Sequence, residues 1–150
     1  MPGTMLILRG ITKLKVWPQY PNGALDEPPA LQYASNRGYT GRVLNVSGET
    51  GDKSKQTNMA LQEIQNDSSI TALYGFSGGG YNVYHILNRM THEQRDRLEL
   101  VVVIGVETSK LSADALNPKR YNANWELVYR NDPPPPMTHI DGPRALLTGR

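Results

Sequence analysis

The sequence predicts an α/β fold, a three-layer sandwich built on a central five-stranded parallel sheet. Three observations support this prediction. Short apolar segments alternate along the chain with segments that have helical spacing, which is typical of β–α–β units. The runs Met5–Leu8 and Leu100–Val106 lack polar alternation, as expected of strands covered on both faces. A glycine-rich stretch, Gly75–Gly79, joins one predicted strand to one predicted helix.

The strands are predicted from their apolar and β-branched content, and each is bounded by polar or glycine-containing turns. In chain order they are Met5–Leu8, Arg42–Val46, Ser69–Tyr74, Leu98–Val106 and Trp125–Tyr129. Because helices separate them, we expect the strands to run parallel.

The helices are predicted from periodicity and from end signals. Asp26-Glu27-Pro28 has the capping side chain, acidic residue and early proline of a helix start, and that helix runs to about Arg37 before Gly38 ends it. Two further helices are expected at Thr57–Asn66, with an apolar inner face, and at Gly80–Met90. A final helix is expected at Gly142–Leu147, with Asp141 as its cap.

Composition narrows the classes of function. A chain of 150 residues fits one domain, here residues 1–150, and with no cysteine it has no disulfide and no thiolate site. The net charge of +2 comes from scattered residues, so we expect no nucleic-acid partner. The longest apolar run, Leu100–Val106, is too short to cross a bilayer, and no secretory signal is visible around Met5–Leu8. We therefore expect a cytoplasmic protein with no metal and no cofactor; its oligomeric state is not predicted.

The pentapeptide Gly75-Phe76-Ser77-Gly78-Gly79 has the pattern G-x-S-x-G. On a sharp strand-to-helix turn, such a serine presents its hydroxyl beside the helix N-terminus, and small residues must flank it because the backbones nearly touch. The sequence therefore predicts a nucleophile at Ser77. The alternative is a structural or anion-binding turn in a flavodoxin-like module, with Gly78–Gly80 around a phosphate. A nucleotide P-loop is excluded because no lysine follows the glycines.

A serine nucleophile needs a base at the same sheet edge, where the carboxyl ends of the strands lie. The chain has three histidines. His85 is expected to point away from Ser77 along the following helix, and His92 to lie at the opposite sheet edge. Elimination leaves His139.

The base in turn needs a carboxylate to orient it. Asp132 follows the fifth strand, and the stiff segment Pro133–Pro136 separates it from His139. An Asn-Asp-Pro sequence is also a common turn, so Glu107, after the fourth strand, is the alternative acid. In the long loop Ile11–Leu25, Trp17 and Tyr20 are predicted either to form an aromatic substrate-binding wall or simply to pack on the sheet edge.

With Ser77, Asp132 and His139 in this order, the chain resembles the α/β-hydrolase superfamily, and most closely its minimal, cutinase-like serine esterases. The resemblance implies five parallel strands without a large cap and hydrolysis of a small-molecule ester, thioester or related acyl bond through an acyl-serine. It implies an oxyanion hole made by the backbone N–H of Gly78 and by one from Gly10 or Ile11. A hydrolase fold that has lost activity is a further alternative.

Overall fold

A five-stranded, entirely parallel sheet forms the centre of the protein in the computed structural model, which describes residues 3–11 and 26–149. The strand order is β2-β1-β3-β4-β5. The strands are β1 (Thr4–Leu8), β2 (Thr40–Leu44), β3 (Ile70–Phe76), β4 (Leu100–Ile104) and β5 (Glu126–Arg130). The predicted fold class is confirmed.

Helices cover both faces of this sheet. They are α1 (Glu27–Asn36), α2 (Lys55–Asn66), α3 (Gly78–Arg89), α4 (His92–Asp96) and α5 (Gly142–Leu147), with short 3₁₀ turns at Ala113–Leu116, Pro118–Tyr121 and His139–Asp141. Helices α1 and α5 pack together, as do α2 and α3.

The core consists of two apolar layers, one on each side of the sheet. In β1, Leu6 and Leu8 belong to one layer, while Met5 and Ile7 belong to the other. All four side chains are buried because alternate residues of a strand face opposite sides of the sheet. This explains why the strand has no polar residue in its centre.

Two predicted strands extend past the carboxyl ends of the observed strands, and local backbone geometry explains both differences. β2 ends at Leu44 instead of Val46, because the Val46 carbonyl accepts from the buried Gln56 side chain at 3.2 Å. β4 ends at Ile104 because Gly105 turns the chain with a φ of 71°. Before β4, Leu98 donates its N–H to the Arg95 carbonyl at the end of α4.

At the helix ends, the glycine signal after α1 is confirmed, whereas two aspartates predicted as caps do not cap. Gly38 has a φ of 84° just after α1, as predicted. The Asp26 side chain makes no capping hydrogen bond; its carboxylate instead accepts from the Gly10 N–H at 3.2 Å. Likewise, Asp141 sits at the start of α5, but its carboxylate accepts from the Thr138 N–H at 2.7 Å.

Asp67, between α2 and β3, joins two parts of the sheet. Its carboxylate accepts from the Ser69 hydroxyl and N–H at 2.7 and 2.9 Å and from Arg42 of β2 at 2.6 Å. Hydrogen bonds from Ser69, and then from Arg42, lower the pKa of Asp67 from 3.8 to about 2. Because the ionised form is favoured in the folded state, its contribution is present above the unfolded value and is lost as the pH falls through about 2.

We therefore expect Asp67→Asn to lower the urea midpoint at pH 6 and to lose this effect as the pH is lowered from 4 toward 2. Urea unfolding of both proteins at several pH values measures the difference. An equal difference at every pH would show that the carboxylate charge does not contribute.

Candidate functional site

Ser77 lies between β3 and α3, at the carboxyl end of the sheet. Its backbone has φ 56° and ψ −119°, a conformation that L-residues rarely adopt, and its N–H donates to the Ile104 carbonyl at 2.9 Å. Although Ser77 holds the N-cap position of α3, its hydroxyl does not cap the helix. The helix begins at Gly78, two residues earlier than predicted, because the turn occupies a single residue.

The glycines around Ser77 are required by close backbone packing. A Cβ at Gly75 would lie 2.5 Å from the Gly79 carbonyl oxygen, so strand and helix meet without a side chain between them. A Cβ at Gly78 would collide with the Gly48 carbonyl, and one at Gly79 with the Leu8 carbonyl. The Cβ positions of Gly78 and Gly79 thus face backbone carbonyl groups, so neither position has room for a side chain.

The strain at Ser77 leads to a stability prediction. A non-glycine residue in such a conformation costs about 1–3 kcal/mol, whereas glycine adds about 0.5–1 kcal/mol of backbone entropy cost. We expect the free energy of unfolding of Ser77→Gly to exceed that of Ser77→Ala by about 1 kcal/mol, because alanine keeps the strained Cβ. Ser77→Gly should therefore unfold at a higher urea concentration. Equal or reversed midpoints would show that the turn is not strained.

Asp132 and His139 are in direct contact. The Asp132 carboxylate lies 2.6 Å from His139 Nδ1. A carboxylate only accepts, so Nδ1 carries a proton and Nε2 is the acceptor nitrogen of a neutral ring. The two side chains are partly open to solvent, with 46% of Asp132 and 27% of His139 exposed.

The His139 ring packs on Phe76, the residue that precedes Ser77. Phe76 stacks on His139 with ring centroids 4.8 Å apart and an angle of 25° between the planes. Gly105 permits this contact, since a Cβ there would lie 2.9 Å from Phe76 Cε1 and 3.0 Å from His139 Cε1. Phe76 and Gly105 were not predicted to matter, although both lie at strand ends next to predicted site residues.

The loop after β1 lies on the other side of Ser77. A Cβ at Gly10 would be 3.4 Å from Ser77 Cβ, and Ile11 lines an open cleft of about 390 Å³ together with Ser77 and Gly78. The Gly10 N–H is already hydrogen-bonded to Asp26, whereas the Gly10 carbonyl accepts from the Gly48 N–H at 3.1 Å.

Buried amides hold this loop against α3. Gln56 donates to the Arg9 carbonyl at 3.0 Å, and its own carbonyl accepts from Asn82 at 2.8 Å. Asn82 also donates to the Glu49 carbonyl at 2.9 Å and accepts from the Gly51 N–H at 3.0 Å. Gln56 and Asn82 are fully buried, so their amide groups fix the loops that follow β1 and β2.

Three further residues, Glu107, His92 and His85, were weighed as alternatives to Asp132 and His139. Glu107 is exposed, and its carboxylate pairs with Lys110 at 3.6 Å. His92 pairs with Asp96 at 3.3 Å in α4, the helix that follows the carboxyl end of α3. The prediction for His85 was wrong: it lines the same cleft as Ser77, since two turns of α3 bring it back to that side. Trp17 and Tyr20 lie outside the described residues.

In the part of the chain that the structure describes, no group of three or more histidine, aspartate or glutamate side chains is placed to hold a metal ion. None of the helices within residues 3–11 and 26–149 is long and apolar enough to span a bilayer.

Comparison with known proteins does not assign the chain to a group. No protein-family model matches it, and no curated protein is significantly similar to it.

Proposed function

We propose that the protein is a serine hydrolase that cleaves an ester, thioester or related acyl bond through an acyl-serine intermediate. The observation that carries the proposal is the conformation of Ser77. Its strained backbone holds the serine at the N-terminus of a twelve-residue helix, and the serine hydroxyl makes no capping hydrogen bond to that helix. Backbone strain of this kind persists only where the surrounding fold maintains it, and such positions are concentrated at functional sites.

In the proposed mechanism, Ser77 Oγ attacks the acyl carbon while His139 Nε2 takes the hydroxyl proton. Asp132, bound to Nδ1 at 2.6 Å, keeps the ring in the required tautomer and stabilises the imidazolium. The bond from the acyl carbon to the leaving group then breaks, and His139 returns the proton to that group. Water, deprotonated by His139, releases the acyl group and restores Ser77.

The oxyanion would be bound by backbone N–H groups and by the positive end of α3. Gly78 is the first residue of the helix, so its N–H has no partner within it. Of the two candidates in the β1 loop, Ile11 is preferred, because the Gly10 N–H is bound to Asp26 and Ile11 lines the cleft.

A fluorophosphonate probe tests this proposal. We expect a covalent adduct on Ser77, located by mass spectrometry of peptides, and no adduct on Ser77→Ala. Absence of labelling, with no hydrolysis of p-nitrophenyl acetate, would favour an inactive fold or an anion-binding module.

The acid is tested by a matched pair of amide substitutions. Asp132→Asn is expected to lower kcat by about 10²–10⁴-fold, because an amide N–H can donate to Nδ1 and favour the wrong tautomer, and because the neutral amide does not stabilise the imidazolium. Glu107→Gln serves as the control and is expected to change kcat by less than about two-fold, since Glu107 pairs with Lys110. The opposite result in steady-state ester hydrolysis would place the acid after β4.

The proposed partner is a small-molecule acyl substrate, and no metal or other cofactor takes part in the proposed steps. A cytoplasmic location, expected from the absence of cysteine, belongs to the same proposal.

A further inference from the structure

A groove runs from Ser77 along α3. Next to the cleft of about 390 Å³ at Ser77 lies a second cavity of about 340 Å³. Both are lined by Tyr81, His85 and Lys110, so the two cavities adjoin along these side chains. His85 is eight positions after Ser77, which corresponds to about 12 Å along the helix axis at about 1.5 Å per residue.

The groove has two walls. One consists of the α3 side chains Tyr81, Tyr84 and His85, and the other of the loop Thr108–Ser112. Both tyrosines and His85 are only half-buried, so their rings can contact a ligand.

Tyrosine hydroxyls anchor the loop wall at both ends. The Glu107 N–H donates to Tyr81 Oη at 3.0 Å, and Tyr129 Oη donates to the Leu111 carbonyl at 2.6 Å. Burial raises the pKa of Tyr129, which therefore stays a hydrogen-bond donor. The Leu111 N–H also closes a turn onto the Glu107 carbonyl at 2.9 Å. The groove is thus formed before a ligand binds.

The charge carried by the side chains that line the groove is positive. Among the described residues that line the two cavities, none carries a carboxylate, while Lys110 carries an ammonium group. The Lys110 ion pair with Glu107 is long, at 3.6 Å, and more than 60% of each side chain is exposed (66% and 62%). Such a pair is weak, so a ligand can replace Glu107 at the ammonium group. The Arg120 guanidinium lies 6.0 Å from the centre of the Tyr84 ring and adds positive charge at the far end.

We infer that this groove selects acyl substrates that carry a carboxylate, which Lys110 binds while Ser77 engages the acyl carbon. The inference rests on the proposed hydrolase function. The hydroxyls of Thr108, Ser109 and Ser112 supply further donors along the same wall. Lys110 acts here as a specificity-determining residue.

Two esters with the same five-carbon acyl length provide the test. Mono-p-nitrophenyl glutarate carries a terminal carboxylate, and p-nitrophenyl pentanoate does not. We expect Lys110→Gln to lower the ratio of their kcat/KM values, glutarate over pentanoate, by about three- to five-fold, mainly through KM of the glutarate ester. Lys110→Glu should lower the ratio further. Lys119→Gln, an exposed lysine outside the groove lining, is the matched control and should keep the wild-type ratio.

A binding measurement separates this inference from the proposed reaction. Isothermal titration calorimetry measures the Kd of glutaranilic acid and of the neutral pentananilide for the Ser77→Ala protein. The same measurement is made on the protein that also carries Lys110→Gln. We expect tighter binding of the anionic anilide, lost in Lys110→Gln and weakened by 0.5 M NaCl.

If neither ester is hydrolysed but the anionic anilide binds in a Lys110-dependent way, the groove binds carboxylates through Lys110 as inferred, and the hydrolase proposal, with the role of Ser77 in it, falls. If both esters are hydrolysed and the ratio is the same in wild type, Lys110→Gln and Lys110→Glu, the groove inference is overturned and the hydrolase proposal stands. Failure of the anionic anilide to bind more tightly also overturns the groove inference.

Discussion

Ser77→Ala is expected to abolish hydrolysis of p-nitrophenyl acetate, with kcat/KM falling by about 10⁴-fold or more, while the protein stays folded. The covalent intermediate requires Oγ, and loss of the nucleophile removes most of the rate that a serine–histidine–acid triad provides. Alanine retains the Cβ, so the turn between β3 and α3 is expected to keep its geometry.

Initial rates of p-nitrophenolate release measure this effect, and circular dichroism with urea unfolding checks the fold. Ser68→Ala, an exposed serine before β3, is the matched control and should retain full activity. A Ser77→Ala protein with wild-type rates would exclude Ser77 as the nucleophile.

His139→Gln is expected to produce the second large loss, of about 10³–10⁴-fold in kcat, because glutamine does not take up the Ser77 proton. It also removes the ring that stacks on Phe76 and its contact with Asp132. Since His139 is partly exposed, the loss of stability should be small in comparison with the loss of rate.

His92→Gln is the control, because His92 is an exposed histidine with a carboxylate partner in α4, at the other edge of the sheet. Both variants are compared with wild type by ester hydrolysis and by urea unfolding. A greater loss of rate in His92→Gln than in His139→Gln would show that the base has been misassigned.

The placement of Asp132 at the same sheet edge as Ser77 was predictable from the sequence for a physical reason. In a parallel sheet all strands end at the same edge, so residues that follow β3 and β5 are brought to that edge even when they are distant in sequence. The order of the strands adds a second reason. β2 lies on one side of β1, and β3 lies on the other. The connections after β1 and β3 therefore diverge, which leaves a crevice beside Gly10 and Ser77.

Other features of the site depend on details that hydrophobic patterning does not contain. The bond from Asp26 to the Gly10 N–H joins residues on opposite sides of a long loop, where a helix cap was the simpler expectation. His85 lines the cleft because the exact direction of α3 decides which side chains return to the site. Helix α4 did have a local signal: Thr91 and Gln94 form a capping box, but only five residues follow the cap.

The manner in which Ser77 is held has a consequence for how this protein can change over evolutionary time. Its position depends on main-chain contacts among Gly75, Gly78 and Gly79 and the chain segments at Leu8 and Gly48, where any added side chain collides with a neighbour. The groove wall beside it consists of exposed side chains on a loop that ends at two tyrosine anchors. Mutations at Thr108–Lys110 can therefore change substrate specificity without displacing Ser77 Oγ. Substitutions at the glycine positions are almost never tolerated.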